Sequence, residues 1–198
     1  MYGGIIHILE NIKVKNIIIS KQKQNNEYLE KVLDIAKNKN INLVIVEAGD
    51  KIKLDSSSYF DILWPSTNLV EENSTNNNSI VANLVFNDFK ILFTGDIEQI
   101  AEEAIIKKYK GTNKLKSSIL KVAHHGSKTS TTEEFLNLVN PQIVLIGVGK
   151  DNKFNHPNTE IIERLQKNGS KIYRTDKNGE INIVIDRKMR INIKKIIK

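Results

Sequence analysis

Apolar positions recur along this chain with two periods, and the switching between them lays out the elements. Ile5, Ile8, Leu9 and Ile12 fall at helical spacing and predict a short helix over residues 3–11. A compact apolar run predicts a strand at 14–20. Leu29, Val32, Leu33 and Ala36 predict a second helix, capped by Asn25 or Asn26. Strands are expected at 42–47, 51–54 and 59–64, with Gly49-Asp50 as the first turn and Pro65 as the final stop. The stretch from Glu71 to Ser79 holds no apolar residue. It reads as a surface loop and not as a domain linker, because strands resume on both sides.

Residues 80–86 and 89–94 predict a hairpin about Asn87-Asp88. A helix follows from about 98 to 109, with Ala101, Ala104 and Ile105 inward and Gly111 as its stop. The next apolar run, from Ile119, ends at His124-His125-Gly126-Ser127. Ser130 and Glu133 then read as a capping box ahead of Phe135, Leu136, Leu138 and Val139, in a helix closed by Pro141. A buried strand at 142–147 and a loop at 149–156 lead to Pro157, expected in the first turn of a helix that carries Ile161, Ile162 and Leu165. Strands at 171–174 and 180–186 flank Asn178-Gly179, a hairpin-type turn. The alternating basic tail, 187–198, is an edge strand or a frayed end. Hairpins mixed with β-α-β steps argue for an α/β chain of the α+β type, a layered sandwich with helices outside, and against a doubly wound parallel sheet. The whole chain, 1–198, reads as a single domain.

Composition narrows the function classes. The chain has no cysteine, which excludes disulfides and thiolate metal sites. Its formal charge is +7 and its pI about 9.4, which suits a polyanionic partner such as nucleic acid; a basic solvated face explains the same numbers. No apolar run reaches the roughly 18–20 residues that span a bilayer. The opening residues carry no basic stretch ahead of their apolar ones, so no signal peptide is expected and the chain reads as soluble.

Three polar groups stand at strand ends: Thr94-Gly95-Asp96, His124-His125-Gly126-Ser127 and Asn155-His156-Pro157. A carboxylate and two or three imidazoles on neighbouring strand ends suit a divalent metal such as Zn, Mn or Fe. An acyl-transfer site with Ser127 as nucleophile ranks below this, because no G-x-S-x-G turn is present. Asp96 also suits the N-cap of the helix that follows it. His7, on an apolar helix, reads as a packing residue.

These motifs, with Tyr173 through Gly179 and with Trp64-Pro65 and Asn78-Ser79 upstream, follow one another in an order that resembles the metallo-β-lactamase-fold domain of the ComEC-type competence proteins and their free-standing relatives. The resemblance covers nearly the whole chain. It implies an αββα sandwich and metal-dependent hydrolysis of phosphodiesters, with DNA as substrate in connection with DNA uptake. It further implies Asp96, His124 and His156 as metal ligands, His125 and Ser127 as catalytic groups, and Asn78, Ser79 and Lys128 as substrate-binding residues. The roles of His124 and His125 stay interchangeable at this point. The family's principal metal motif, of the form H-x-H-x-D-H, does not occur in the chain, which is expected to begin just after it. A complete relative would hold two metal ions and this chain one or none. The alternatives are a non-catalytic truncated relic or basic nucleic-acid-binding module and, on the same fold, a β-lactam or thioester hydrolase. Missing strands would leave an apolar strip open on the sheet, a route to self-association.

Overall fold

The computed structural model describes residues 3–21, 27–186 and 188–196. Its centre is one seven-stranded sheet in the order β3-β4-β5-β6-β7-β8-β9. The strands are β3 (Lys51–Lys53), β4 (Ser58–Trp64), β5 (Val81–Phe86), β6 (Phe89–Phe93), β7 (Ile119–Lys121), β8 (Ile143–Ile146) and β9 (Lys171–Arg174). The first four pair antiparallel through hairpin-like steps, and β6 to β9 run parallel. The tight β5–β6 turn is made by Asn87, which takes φ 51, a conformation asparagine tolerates better than most residues.

One face of the sheet is covered by α4 (Gln99–Tyr109), α5 (Glu133–Val139) and α6 (Thr159–Lys167). Their inward residues, among them Ala101, Ile105, Phe135, Leu136, Ile161 and Leu165, interlock with Leu92, Leu120, Val122, Val144 and Ile146 of the sheet in the largest core cluster. The other face meets two separate strand pairs. The parallel pair β1 (Asn16–Ser20) and β2 (Asn42–Val46) lays Val44 and Val46 over Ile62 and Ala82. The antiparallel pair β10 (Glu180–Ile185) and β11 (Ile191–Ile196) lays Ile181, Ile183 and Ile193 over Ile119, Ile143 and Tyr173. Outside β1 and β2 pack α1 (Gly3–Asn11) and α2 (Glu27–Asn38), through Leu9, Val32, Ala36 and Ile41. The layers therefore run helix, sheet, strand pairs, helix, the αββα order expected of a metallo-β-lactamase sandwich.

Where the strand pairs leave the sheet uncovered, an apolar groove of about 580 Å³ is lined by Ile18, Ile52, Phe60, Ile62, Phe93 and Lys121. Self-association through an open strip, expected from the sequence, has no structural support. No helix among the described residues is long and apolar enough to cross a membrane.

Several expected boundaries change. The cap of α5 is Thr132, whose hydroxyl accepts from Phe135 N; Ser130 instead donates to the Ala123 and Ser127 carbonyls, because it is buried under the helix and not at its mouth. Pro157 precedes the cap of α6 and does not open the helix; Asn158 caps it by accepting from Glu160 N. The strands 171–174 and 180–186 do not form a hairpin with one another. A short helix, α7 (Thr175–Asn178), carries the chain out of the main sheet, and the alternating tail supplies the partner strand, β11. The polar stretch 71–79 contains α3 (Ser74–Asn77) and ends on two buried asparagines, so it is not a wholly exposed loop. The proposed caps Asn25 and Asn26, and Arg187, Ile197 and Lys198 of the tail, lie outside the described residues.

Glu102 fixes how α4 meets the segment that enters α5. It is fully buried, and its carboxylate accepts from the backbone N–H groups of Thr131 and Thr132. Burial pushes its carboxyl above the usual carboxylate range, against the opposing pull of those donors and of Arg164. Glu102→Ala leaves both N–H groups without an acceptor. It is expected to lower the unfolding free energy at neutral pH by about 3 kcal/mol in urea titrations, with Glu102→Gln costing less.

Candidate active site

The parallel run β6-β7-β8 brings three strand ends to one edge of the sheet, and the chain leaves each of them through a polar turn. After β6, the Thr94 hydroxyl donates to the Lys121 carbonyl at 2.6 Å and ties the first two ends together. Gly95 takes φ 55 and lies so close to Ser79 that a Cβ would come within 2.5 Å of the serine Cβ. The Ser79 hydroxyl in turn accepts from Asp96 N at 3.3 Å. After β7 the chain turns through Ala123–Gly126, where His124, His125 and Gly126 take φ 47, 56 and 83 in succession. Left-handed backbone costs a non-glycine residue roughly 1–2 kcal/mol. Two adjacent histidines hold it here because their neighbours over-determine it: His124 N donates to the Gly95 carbonyl at 3.1 Å, and Asn158 N to the Gly126 carbonyl at 2.9 Å. A Cβ on Gly126 would lie 2.6 Å from Pro157 Cβ.

This backbone sends the two imidazoles to different carboxylates. His125 Nδ1 lies 2.5 Å from the Gly147 carbonyl at the end of β8. A carbonyl only accepts, so Nδ1 carries the hydrogen, and Nε2 faces Asp96 Oδ1 at 3.6 Å. His124 Nδ1 lies 3.4 Å from Glu98 Oε1, but the angle makes no hydrogen bond, and this buried nitrogen is left without one. Glu98 is itself anchored. It accepts from Asn73 Nδ2 at 2.9 Å and from the Thr129 hydroxyl at 3.2 Å, while its own N–H donates to Asn77 Oδ1. The His124 ring meets the His156 ring edge-on, with centroids 5.8 Å apart. Burial, and then the charges of His124 and His125, push the His156 imidazole below its ordinary value of 6.5. Lys121 also reaches this edge and donates to the Gly95 carbonyl at 3.2 Å; burial pushes its ammonium down, and the charge of Asp96 opposes that.

The cleft at this edge is built from pairs: Asp96 faces His125, His124 meets His156, and His125 and His156 wall one pocket. Asp96 pairs with His125 and does not cap α4. Asn78 is fully buried, and its amide bonds to Val70 N, the Val70 carbonyl and the Ser74 carbonyl, so it shapes a loop. Ser127 is buried and its hydroxyl meets Thr129, whose own hydroxyl donates to Glu98. Ser79 supports the Asp96 backbone, and Lys128 is exposed. His7 is exposed on α1 beside Asn11 and packs in no core. Glu98 and Lys121 were not foreseen. Their signals were a second acidic residue two positions after Asp96 and a lone charge in an apolar strand.

The divalent metal implied by the resemblance can be tested against these donors. His125 Nε2, a lone pair in the neutral ring, confronts the Asp96 carboxylate, and a proton or cation between them relieves that opposition. Two donors are a mount and not a centre, since structural and catalytic sites use three or four protein ligands. Among the described residues, no group of three or more His, Cys, Asp or Glu side chains is disposed to hold a metal. Of the His124 nitrogens, Nδ1 lies toward Glu98. The described residues do not fit a complete metal centre.

No family model matches the chain. Its sequence is 32% identical over 174 residues to ComE operon protein 3 of Bacillus subtilis, covering 88% of this chain and 22% of that protein. It is 34% identical over 128 residues to Competence protein ComA of Neisseria gonorrhoeae, covering 65% of this chain and 18% of that protein. The chain belongs to the ComEC-type competence protein family. Recombination protein 2 of Haemophilus influenzae matches 63% of this ComEC-type chain at 33% identity and is itself covered over 15% of its length. The chain spans about a fifth of the length of these curated relatives. A solved structure from Parabacteroides distasonis, described as a metal-dependent hydrolase, is similar at a TM-score of 0.48 and 16% identity, over 85% of this chain and 79% of that one. That likeness is too loose to bear on function.

Two expected outcomes follow from the cleft. Gly126→Ala adds a Cβ into Pro157 at φ 83 and should lower stability by about 2–3 kcal/mol in urea unfolding. The depressed His156 contributes stability that is present above 6.5, its ordinary value, and is lost as pH falls through its lower folded value. Unfolding midpoints measured across that window should fall less steeply with acid in His156→Gln than in the natural chain.

Proposed function

We propose that the cleft handles the phosphodiester backbone of DNA, as part of a hydrolase of the ComEC type. The observation that carries this reading is the pairing of Asp96 with His125, beside His124 and His156, at the shared end of three parallel strands. Competence proteins are relatives by sequence. A formal charge of +7 draws a polyanion toward the surface, with exposed Lys128 directly after the histidine turn. At the cleft, His125 is held in one tautomer by the Gly147 carbonyl, so its Nε2 is presented at a constant angle to whatever sits against Asp96. Glu98 lies beside His124 Nδ1 at 3.4 Å without a hydrogen bond. Cleavage at this place is proposed to need metal donors beyond those the described residues supply.

The test is fluorescence anisotropy with a labelled single-stranded oligonucleotide, together with a gel assay for cleavage in Mn²⁺ or Zn²⁺. Binding is expected to weaken steeply with salt, each phosphate neutralised contributing about 0.7 to the slope of log affinity against log salt. No cleavage above background is expected from the chain alone. Metal-dependent cleavage that Asp96→Ala abolishes would show the donor set to be complete. Absence of any salt-sensitive binding would overturn the DNA reading.

A further inference from the structure

The loop between β8 and α6 carries the most exposed large apolar side chain among the described residues: Phe154, 70% accessible. Its position is built. Asn152 Oδ1 accepts from Phe154 N at 3.2 Å and from His156 N at 3.0 Å, and Asn152 Nδ2 donates to the His156 carbonyl at 2.7 Å and the Gly149 carbonyl at 3.2 Å. One side chain thus ties the whole loop. It holds the Phe154 ring against the His156 ring, with centroids 5.9 Å apart and planes 23° from parallel. Beside this stack opens a pocket of about 360 Å³, walled by His125, Val148, Asn152, Phe154 and His156 and by the bare backbone of Gly147 and Gly149. The pocket shares His125 and His156 with the cleft.

An exposed aromatic ring on a tied loop, next to a flat glycine-walled pocket and a polar cleft, is poorly explained by packing. The ring covers no core cluster, and water wets most of it. Exposed aromatics beside basic surface bind unpaired bases, since every base has a face to stack and the backbone charge is met separately. Away from its ends, base-paired duplex offers no such face, its bases being stacked on one another.

We propose that Phe154, backed by His156 and positioned by Asn152, is a stacking platform for one unpaired nucleobase. The inference rests on the DNA reading of the cleft and adds the residue that receives a base. A base on Phe154 leaves its adjoining phosphate within the same cleft as His125, so one nucleotide spans both subsites. The pocket walls offer the Asn152 amide and the backbone of Gly147 and Gly149 to the base edge. Most of the contact is apolar, so the platform is tolerant of base identity.

The experiment measures affinity by anisotropy for three probes of equal charge: a single-stranded oligonucleotide, the same length with abasic units, and a blunt duplex. Phe154→Ala is expected to weaken single-strand binding about ten-fold, the scale of one lost base stack, while leaving the salt slope unchanged because no phosphate contact is removed. Abasic and duplex binding should not change. Phe154→Trp should restore single-strand binding and Phe154→Leu should not, which separates stacking from burial. Equal losses on all three probes, or rescue by leucine, would overturn the proposal, as would single-strand binding indifferent to Phe154→Ala. If the natural chain binds none of the three, the DNA reading itself fails; that outcome is distinct from binding that ignores residue 154. Circular dichroism on each variant should show an unchanged fold, since the ring is exposed and its loop is held by Asn152.

Discussion

Everything at the cleft hangs on one close approach: the backbone of Gly126 against the ring of Pro157, with no room for a Cβ between them. That contact sets the distance between the end of β7 and the start of α6. It forces His124 and His125 into left-handed backbone, where the chain reverses within a single turn. A reversal this tight points two adjacent side chains in different directions. One imidazole goes toward Asp96 and the β8 end, the other toward Glu98 and α4. In an extended continuation of β7, the same two residues would lie on opposite faces of the sheet, and only one could reach the cleft. The matching approach of Gly95 to Ser79 does for Asp96 what Gly126 does for the histidines.

The strain is held by groups that have no other task. Glu102 anchors the exit of the turn at Thr131 and Thr132, with Thr131 itself at φ 53. Arg164 of α6 donates to the Thr131 carbonyl at 2.7 Å from the other side. Asn77 and Asn78, unremarkable in a polar stretch, are buried braces: Asn77 meets Glu98 and receives the Trp64 indole N–H at its carbonyl, and Asn78 closes the loop onto Val70. A fully buried amide is stable only when its donors and acceptors are matched, and here they are. The polar loop 71–79 is therefore a support for the site through Glu98, reached from 21 residues away in sequence.

Much of the fold was legible because it is local. The β5–β6 hairpin follows from Asn87-Asp88 between apolar runs, and the amphipathic stripes of α4, α5 and α6 follow from their own spacing. The strand after Asn178-Gly179 pairs with the tail and not with 171–174. The turn residues are present, but a four-residue helix redirects the chain, and which strand it then meets depends on the layer beneath. The cap of α5 is Thr132, although Ser130 alone has a glutamate three residues on, at Glu133. Burial under the helix removes Ser130.

By itself the sequence determined which residues could do chemistry: a carboxylate and three histidines at apolar strand ends, glycines beside two of them, and an order of motifs that placed the chain in its family. These are properties of residue type and spacing, and they survive without coordinates. The tertiary structure decided who meets whom. It gave His125 and not His124 to Asp96, withdrew Asn78 and Ser127 into the interior, enlisted Glu98 and Lys121, and stood Phe154 in solvent on top of His156. Such pairings join residues from different strands, loops and helices. They are fixed by backbone directions at two glycines and by the packing of layers, neither of which any local window of sequence contains.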